Sequence, residues 1–381
     1  MTVSIWQADS NQPIREVDFL VIGAGLVGAG VSYFAAQAGH SVVITEARSP
    51  GLGASSRNAG FMITGLDTYY HQAIERYGHE QTRELWALSK HTLDLWRSFI
   101  GTANVTYRQT GSMLLAESTE EAADLRQAAA AMQADGIDCT FHATDPLGRG
   151  FCAAIEQPHD GMVHPYELVQ AVIAASGAEV ISENEVYYIE QVKSEWVVVR
   201  TRKLTFHARY VMICTNAYSG SLDPFFADKV IPVRAQVLVT EPLPAPVLNT
   251  CGYSDYGYMY YRMTFDNRLL LGGARNRHKA LEANTTDDRI NDQVQGALDG
   301  YLRQRFPDVT ARVDRRWAGI MGFSADGVPL VGTMPGQPRV GFAVGFTGHG
   351  LSFGAGTAER AVDHLLNGAA LGALDARRLG T

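Results

Sequence analysis

The stretch "DFLVIGAGLVGAGVSYFAAQAGHSVVITEARSPGLGASSRNAG", Asp18 to Gly60, decides how the rest of the chain is read. Val17 to Ile22 is a short, apolar, β-branched run, as expected of a buried parallel strand. Ala29 to Ala38 carries helical spacing and stops before Gly39, a residue suited to the position just past a helix end. Ser41 to Thr45 reads as a second strand closing at Glu46. Together they form one βαβ unit of about 30 residues.

Gly23, Gly25 and Gly28 supply G-x-G-x-x-G at the mouth of the helix, with Leu26 and Val27 inside it. Gly23 permits the tight turn, Gly25 lets backbone approach a pyrophosphate, and Gly28 lets helix pack on strand. The helix N-terminus offers free N–H groups to phosphate. Glu46 stands 18 residues after Gly28. A carboxylate there accepts hydrogen bonds from both ribose hydroxyls and repels a 2′-phosphate, which disfavours NADP. The second half, "GLGASSRNAG", exceeds what a nicotinamide dinucleotide needs, so an NAD-dependent dehydrogenase is the weaker reading.

Composition narrows the classes. The 381 residues exceed what one compact core usually holds, so two domains or one elaborated domain are expected. With 46% hydrophobic and 19% charged residues, the balance is globular. The net charge of −8 argues against nucleic acid as the main partner, since phosphate binding needs a basic excess. Cys139, Cys152, Cys214 and Cys251 show no CxxC spacing, so free thiols in a reducing compartment are expected. The segment "MTVSIWQADSNQPIREVD" lacks the basic start and apolar centre of a secretory signal. No run approaches the roughly 18 apolar residues of a transmembrane helix. A cytoplasmic chain follows as the default. No His, Asp or Glu cluster has metal-ligand spacing.

Further elements follow from pattern. Tyr69 to Ile100 is helical in period, and Gly111 to Leu115 reads as a strand. Thr119 to Asp135 is an alanine-rich helix expected on the surface. "GMVHPYELVQAVIAAS" reads as a turn, then a helix from Pro165 to Ser176. Strands follow to Cys214, ending in a small-residue turn. "YMYYRMTFDNRLLLGGA" is a hairpin with Asp266-Asn267 at its turn, and Asp287 to Phe306 a further helix. The elements interleave. The expected fold is mixed α/β, a Rossmann-type dinucleotide-binding domain interleaved with an antiparallel-sheet substrate domain. Residues 15–78, 145–220 and 319–381 are assigned to the first, and 79–144 and 221–318 to the second.

Four separated blocks carry a resemblance: "VIGAGLVGAG" followed by Glu46, "GASSRNAG", "DGVPLVG" and "GFTGHGLSFGAG". Together they resemble the FAD-dependent oxidoreductases of the D-amino acid oxidase superfamily, across essentially the whole chain. The resemblance implies FAD. A molecule that long needs contacts beyond the first glycine turn, which Ala47, Arg48, Gly53, Ala54, Ser55, Ser56, Arg57 and Asn58 can give. Ser55 and Ser56 hydroxyls can hold pyrophosphate and ribityl oxygens, Arg48 can pack along adenine or pyrophosphate, and Ala59 and Gly60 are small enough to face the flavin ring. By resemblance, Val186 contacts adenine, and Cys214, Thr215 and Asn216 lie beside the pyrophosphate. Gly345, Thr347, Gly348, His349, Gly350, Leu351 and Ser352 line the flavin, where a helix N-terminus can stabilise negative charge. His349 either adds a hydrogen bond there or only fixes the loop.

Some members attach flavin through a cysteine matching Gly319, others through a histidine near Asn58. Both are missing, so non-covalent FAD is expected. The family's amino-acid oxidases clamp the substrate carboxylate with an arginine at a position that matches Met321. That departure favours the γ-glutamylputrescine oxidoreductase-like branch, which oxidises a primary amine on a longer chain. The implied reaction is oxidation of a CH–NH bond to an imine that then hydrolyses, with O2 or another acceptor taking the electrons. Arg262 is a candidate replacement clamp. On an extended strand Tyr258, Tyr260 and Arg262 share one face, giving either an aromatic and cationic wall or a packed tyrosine-rich face. Tyr69, Tyr70 and His71 either line an entry or pack at a helix start. The alternatives are a D-amino acid or glycine oxidase or dehydrogenase with Arg262 as clamp, and a flavoprotein subunit that uses FAD structurally. The oligomeric state is left open.

Overall fold

The computed structural model describes residues 12–192 and 195–380. Most of the N-terminal segment read above for a secretory signal, residues 1–11, lies outside the described residues.

The described strands form two eight-stranded sheets and one three-stranded sheet. The first centres on β1 (Ile14–Ile22), β2 (Val42–Thr45), β9 (Glu179–Ile181), β12 (Thr205–Ile213) and β19 (Gln337–Val344). These run parallel, in the order β19-β12-β1-β2-β9. Antiparallel additions come from β10 (Val186–Val192), β11 (Trp196–Thr201) and β18 (Leu330–Met334). A strand covered on both faces needs no polar alternation. β1 meets that condition: Phe19 and Val21 point into one apolar core, Leu20 and Ile22 into the other. The helix after β1, α1 (Leu26–Gln37), lies on the first of these faces with α6 (Pro165–Ser176) and α8 (Gly350–Asn367).

The second sheet runs β17 (Val313–Ser324), β13 (Val230–Thr240), β16 (Leu269–Gly273), β15 (Met259–Met263), β14 (Cys251–Ser254), β5 (Ser112–Ala116), β7 (Ala153–Gln157), β6 (Thr140–His142). It is antiparallel except where β14 meets β5. The small sheet pairs β3 (Phe61–Met62) and β4 (Tyr107–Gln109) with β8 (Gly161–Val163). The chain crosses between sheets more finely than the sequence division drew it. β7 lies within 145–220 yet pairs in the second sheet, and β17 stays in that sheet as far as Ser324, past the boundary drawn at residue 319.

Several elements differ from expectation. The helix expected from Tyr69 to Ile100 is two: α3 (Tyr70–Tyr77) and α4 (His79–Thr102). They are broken at Gly78, whose φ of 84° a helix cannot contain. "GMV" is strand β8 rather than a turn. The helix expected from Asp287 begins at Asp292 as α7 (Asp292–Arg305). Asn291 caps it by accepting from the N–H groups of Gln293 and Val294. Residues 287–290 are instead loop, because Arg234 on β13 donates to the Asp287 and Arg289 carbonyls. The alanine-rich helix α5 (Thr119–Ala134) is not confined to the surface: Leu125, Ala128, Ala129 and Met132 are buried. The tyrosine hairpin forms as read, β15 against β16, with Asn267 at φ 60° in its turn.

Candidate active site

An elongated cavity of about 1020 Å³ follows the carboxyl ends of the parallel strands and continues between the two large sheets. Ligands are expected beyond the strand ends of an open parallel sheet. At one end it is bordered by Glu183, Asn184, Glu185, Val186 and Arg202, at the other by the aromatic groups of the second sheet.

The glycine turn builds the middle of this cavity. A Cβ on Gly28 would lie 1.9 Å from the Gly23 carbonyl oxygen, so only glycine lets α1 start this close to β1. Gly28 packs there and does not border the cavity; Gly23, Gly25, Leu26 and Val27 do. The N-terminus of α1 has no side-chain cap at Gly25. The Leu26 N–H donates to Ser55 Oγ at 2.8 Å, which ties the second glycine block to the first. Both Glu46 carboxylate oxygens are fixed by backbone, Oε2 by the Ala24 N–H at 2.9 Å and Oε1 by the Arg48 N–H at 2.8 Å. Those bonds leave its remaining lone pairs available to hydroxyl groups in the cavity.

The "GLGASSRNAG" block forms α2 (Ala54–Arg57), a single turn. Ala47, Arg48, Gly53, Ala54, Ser55, Arg57, Asn58 and Ala59 border the cavity; Ser56 and Gly60 do not. Gly60 is instead enclosed by Val163 and Arg262, where a Cβ would clash at 2.3 and 2.8 Å. Asn58 is committed to its own turn: Nδ2 donates to the Ala54 and Ser55 carbonyls and Oδ1 accepts from the Gly60 N–H. A Cβ on Gly319 would press on Arg57 Cβ at 3.0 Å, so the glycine matches the close packing of β17 on α2. Arg57 also donates to the Ala318 carbonyl and to Asp288.

The "GFTGHG" turn closes the opposite wall. Thr347 (φ 49°) and Asn216 (φ 46°) hold left-handed backbone without being glycine, a strain that persists only where surroundings enforce it. Asn216 Oδ1 accepts from the Gly345 and Phe346 N–H groups, so one strained residue holds the other's turn. Cys214, Thr215, Asn216, Gly319 and Thr347 to Ser352 border the cavity; Gly345 packs behind it on Ser324 and Leu330. The N-terminus of α8 opens here, again without a side-chain cap. His349 Nδ1 donates to the Thr347 carbonyl at 2.9 Å and lies 3.9 Å from Asp67. Burial pushes the Cys214 thiol well up, so it lines the cavity as a neutral group.

The aromatic end separates the predicted site residues. Tyr258 and Tyr260 border the cavity, joined by Tyr253, Tyr256, Tyr69 and Tyr70. Burial pushes Tyr260 up to about 12, against the pull of nearby Arg275. Arg262 is corrected: it does not border the cavity. It shares a strand face with Tyr260, but its guanidinium is turned into the protein. Nε donates to the Ala59 carbonyl and Nη2 to that of Val163. Burial pulls its pKa down to about 10. His71 also stays outside the cavity, 3.8 Å from Asp124.

Among the charged cavity residues that sequence reading missed, Arg275 and Asp67 stand near the aromatic end; Glu183, Glu185, Arg202 and Asp288 lie elsewhere along it. Arg275 follows Ala274, whose left-handed backbone (φ 60°) turns the chain inward after β16. The only local signal was a basic residue after the glycine pair of "LLLGGA". Asp67 sits in an irregular segment with no periodic signal. Its carboxyl is raised by burial, against the pull of His349, Arg275 and Arg76.

Comparison with known proteins matches this geometry. The model of a family described as FAD dependent oxidoreductase covers residues 18–364. The chain is 27% identical to the gamma-glutamylputrescine oxidoreductase of Escherichia coli (strain K12) over 372 residues, 92% of this chain and 84% of that protein. It is 24% identical to the glycine oxidase of Bacillus subtilis (strain 168) over 381 residues, 93% of this chain and 94% of that protein. The crystal structure of glycine oxidase from Geobacillus kaustophilus superposes with a TM-score of 0.81 at 22% identity, covering 94% of this chain and 97% of that one. The two glycine turns, the carboxylate at the second strand end and the family match thus agree, and the chain belongs to the FAD-dependent oxidoreductase family.

Proposed function

We propose that the cavity holds FAD non-covalently and that the chain oxidises the CH–NH bond of an amine or amino-acid derivative to an imine, which water then hydrolyses. One observation carries the reading. A single continuous cavity joins the N-terminus of α1 and Glu46 to the N-terminus of α8 and the tyrosine wall. Neither end alone would need the other.

In this reading Gly23, Gly25, Leu26 and Ser55 hold the pyrophosphate, Glu46 the ribose and Val186 the adenine. Thr347 to Ser352 face the flavin ring. When bound, FAD supplies a two-electron acceptor for the substrate C–H bond. The residues of this chain position and desolvate. The α8 N-terminus presents free N–H groups and a positive dipole end to developing negative charge. The tyrosines exclude water and favour a neutral, apolar substrate stem. The Tyr253 and Tyr260 phenols stay protonated, since burial raises both.

The second sheet contributes the substrate wall and the first the cofactor bed, which is how we draw the two domains. No described helix is long and apolar enough to cross a membrane. The proposed cytoplasmic location rests on the four thiols being unpaired. O2 or another acceptor completes the cycle.

Three measurements test this reading. Acid precipitation is expected to leave the yellow colour in the supernatant, because Gly319 and Asn58 offer no attachment atom; a yellow pellet contradicts it. Glu46→Gln places an amide N–H₂ against a backbone donor and removes a ribose acceptor. An unpaired group of this kind costs about 1–3 kcal/mol, so the dissociation constant for FAD should rise by about tenfold or more. The central experiment is an anaerobic screen of amines and amino acids for bleaching of the flavin. Bleaching by any of them supports the reading, and none bleaching sinks it.

A further inference from the structure

Arg275 is distinguished from the other arginines around the cavity by what holds it. Its guanidinium carbon lies 4.6 Å from the Tyr258 ring centroid and 5.4 Å from that of Phe323. Arg48 and Arg57 both reach toward Asp288, and Arg202 pairs with Glu185, while Arg262, off the cavity, donates to two carbonyls and leaves Nη1 buried without a partner. Among the described residues, the Arg275 side chain makes no hydrogen bond and no ion pair, while it borders the cavity. A guanidinium fixed by two ring faces, with its N–H fork open to a cavity, is preorganised for a carboxylate. The surroundings leave positive charge over. Asp67 is the acid near it, and Asp67 also faces His349 and Arg76.

Its place along β17 adds a second constraint. Met321, at the position where a clamp arginine was sought, borders the cavity with an uncharged side chain near Gly348. Phe323, under Arg275, lies two residues further on the same strand face, roughly 7 Å away. Phe323 in turn bridges to Phe346, ahead of the Thr347 turn.

We propose that Arg275 anchors a substrate carboxylate that is separated from the reacting carbon by several intervening atoms. The substrate class is therefore ω-amino acids or N-substituted derivatives with a remote carboxylate, rather than α-amino acids. This rests on the amine-oxidation reading above and adds the anionic group and its distance.

The test uses the FAD-loaded enzyme. Binding of propionate and butyrate, with propionamide and butyramide as uncharged controls, is followed by flavin difference spectra and titration calorimetry. In the wild type the carboxylates should bind better than the amides. Arg275→Met keeps an apolar body between the rings. It should weaken the carboxylates by about tenfold to a hundredfold and leave the amides unchanged. Arg275→Lys keeps the charge without the fork and should fall between them. In anaerobic bleaching, 4-aminobutyrate and 5-aminovalerate should outpace glycine, and Arg275→Met should erase that order. Equal carboxylate binding by wild type and Arg275→Met overturns the proposal, as does glycine bleaching fastest. If carboxylates bind through Arg275 but no amine bleaches the flavin, the anchor stands and the amine-oxidation reading falls. If amines bleach and Arg275→Met binds carboxylates normally, the reading stands and the anchor falls.

Discussion

Gly28→Ala is expected to purify colourless. The added Cβ would sit 1.9 Å from the Gly23 carbonyl oxygen and 3.4 Å from a Val21 methyl. The first contact is with backbone, so no side-chain rotation relieves it. Either α1 backs away from β1 or the Gly23 turn opens. Both displace the N–H groups that we assign to the pyrophosphate. Overpacking of this kind costs about 1–3 kcal/mol, the upper end of which is about a hundredfold in affinity. Flavin content after purification and a titration with added FAD measure the loss. The melting temperature of the apo chain separates lost binding from lost folding. A yellow Gly28→Ala protein with one FAD per chain would contradict the assigned role of this turn.

The second large effect is expected far from the glycine turn. Glu282 is 1% exposed and pairs with Arg234 on β13, Nη2 to Oε1 at 2.8 Å. Gln236 donates to the same oxygen at 3.0 Å. Arg234 further donates to the carbonyls of Leu281, Asp287 and Arg289. One buried guanidinium therefore pins the segment whose Asp288 meets Arg57 beside the cavity. Glu282→Ala leaves that guanidinium buried, with only the more exposed Asp287 carboxylate, 3.9 Å away, to offset its charge. Breaking such a pair costs about 3–5 kcal/mol, whereas removing both charges is often near neutral. Chemical denaturation should show the full loss for Glu282→Ala and recovery when Arg234→Met is combined with Glu282→Leu. A loss below about 1 kcal/mol for the single change would refute the pairing argument.

Much of the glycine-turn end of the cavity was legible because its determinants are local. A G-x-G-x-x-G turn, the helix after it and the strand end at Glu46 lie within one βαβ unit, and each has its own backbone rule. The hairpin at Asp266-Asn267 was legible for the same reason. Helix boundaries were less so. Gly78 breaks α3 from α4 and Arg234 holds 287–290 out of α7, and neither event shows in hydrophobic period.

The aromatic end of the cavity was the least legible part. Alternation along β15 correctly puts Tyr260 and Arg262 on one face. It does not show that the Ala59 and Val163 carbonyls, from two other segments, wait under Arg262. Nor does it show that Ala274 turns Arg275 between Tyr258 and Phe323. The helix α5 read as a surface element supplies Ala128 and Met132 to the cavity.

By itself the sequence determined the dinucleotide turn, the acidic strand end and the second glycine block, because short-range sterics and helix-end electrostatics act within a few residues. Only the tertiary structure decided that Arg275, and not Arg262, borders the cavity beside Tyr258. That depends on carbonyls and ring faces brought together from separate segments of the chain, as Ala59 meets Arg262 and Phe323 meets Arg275.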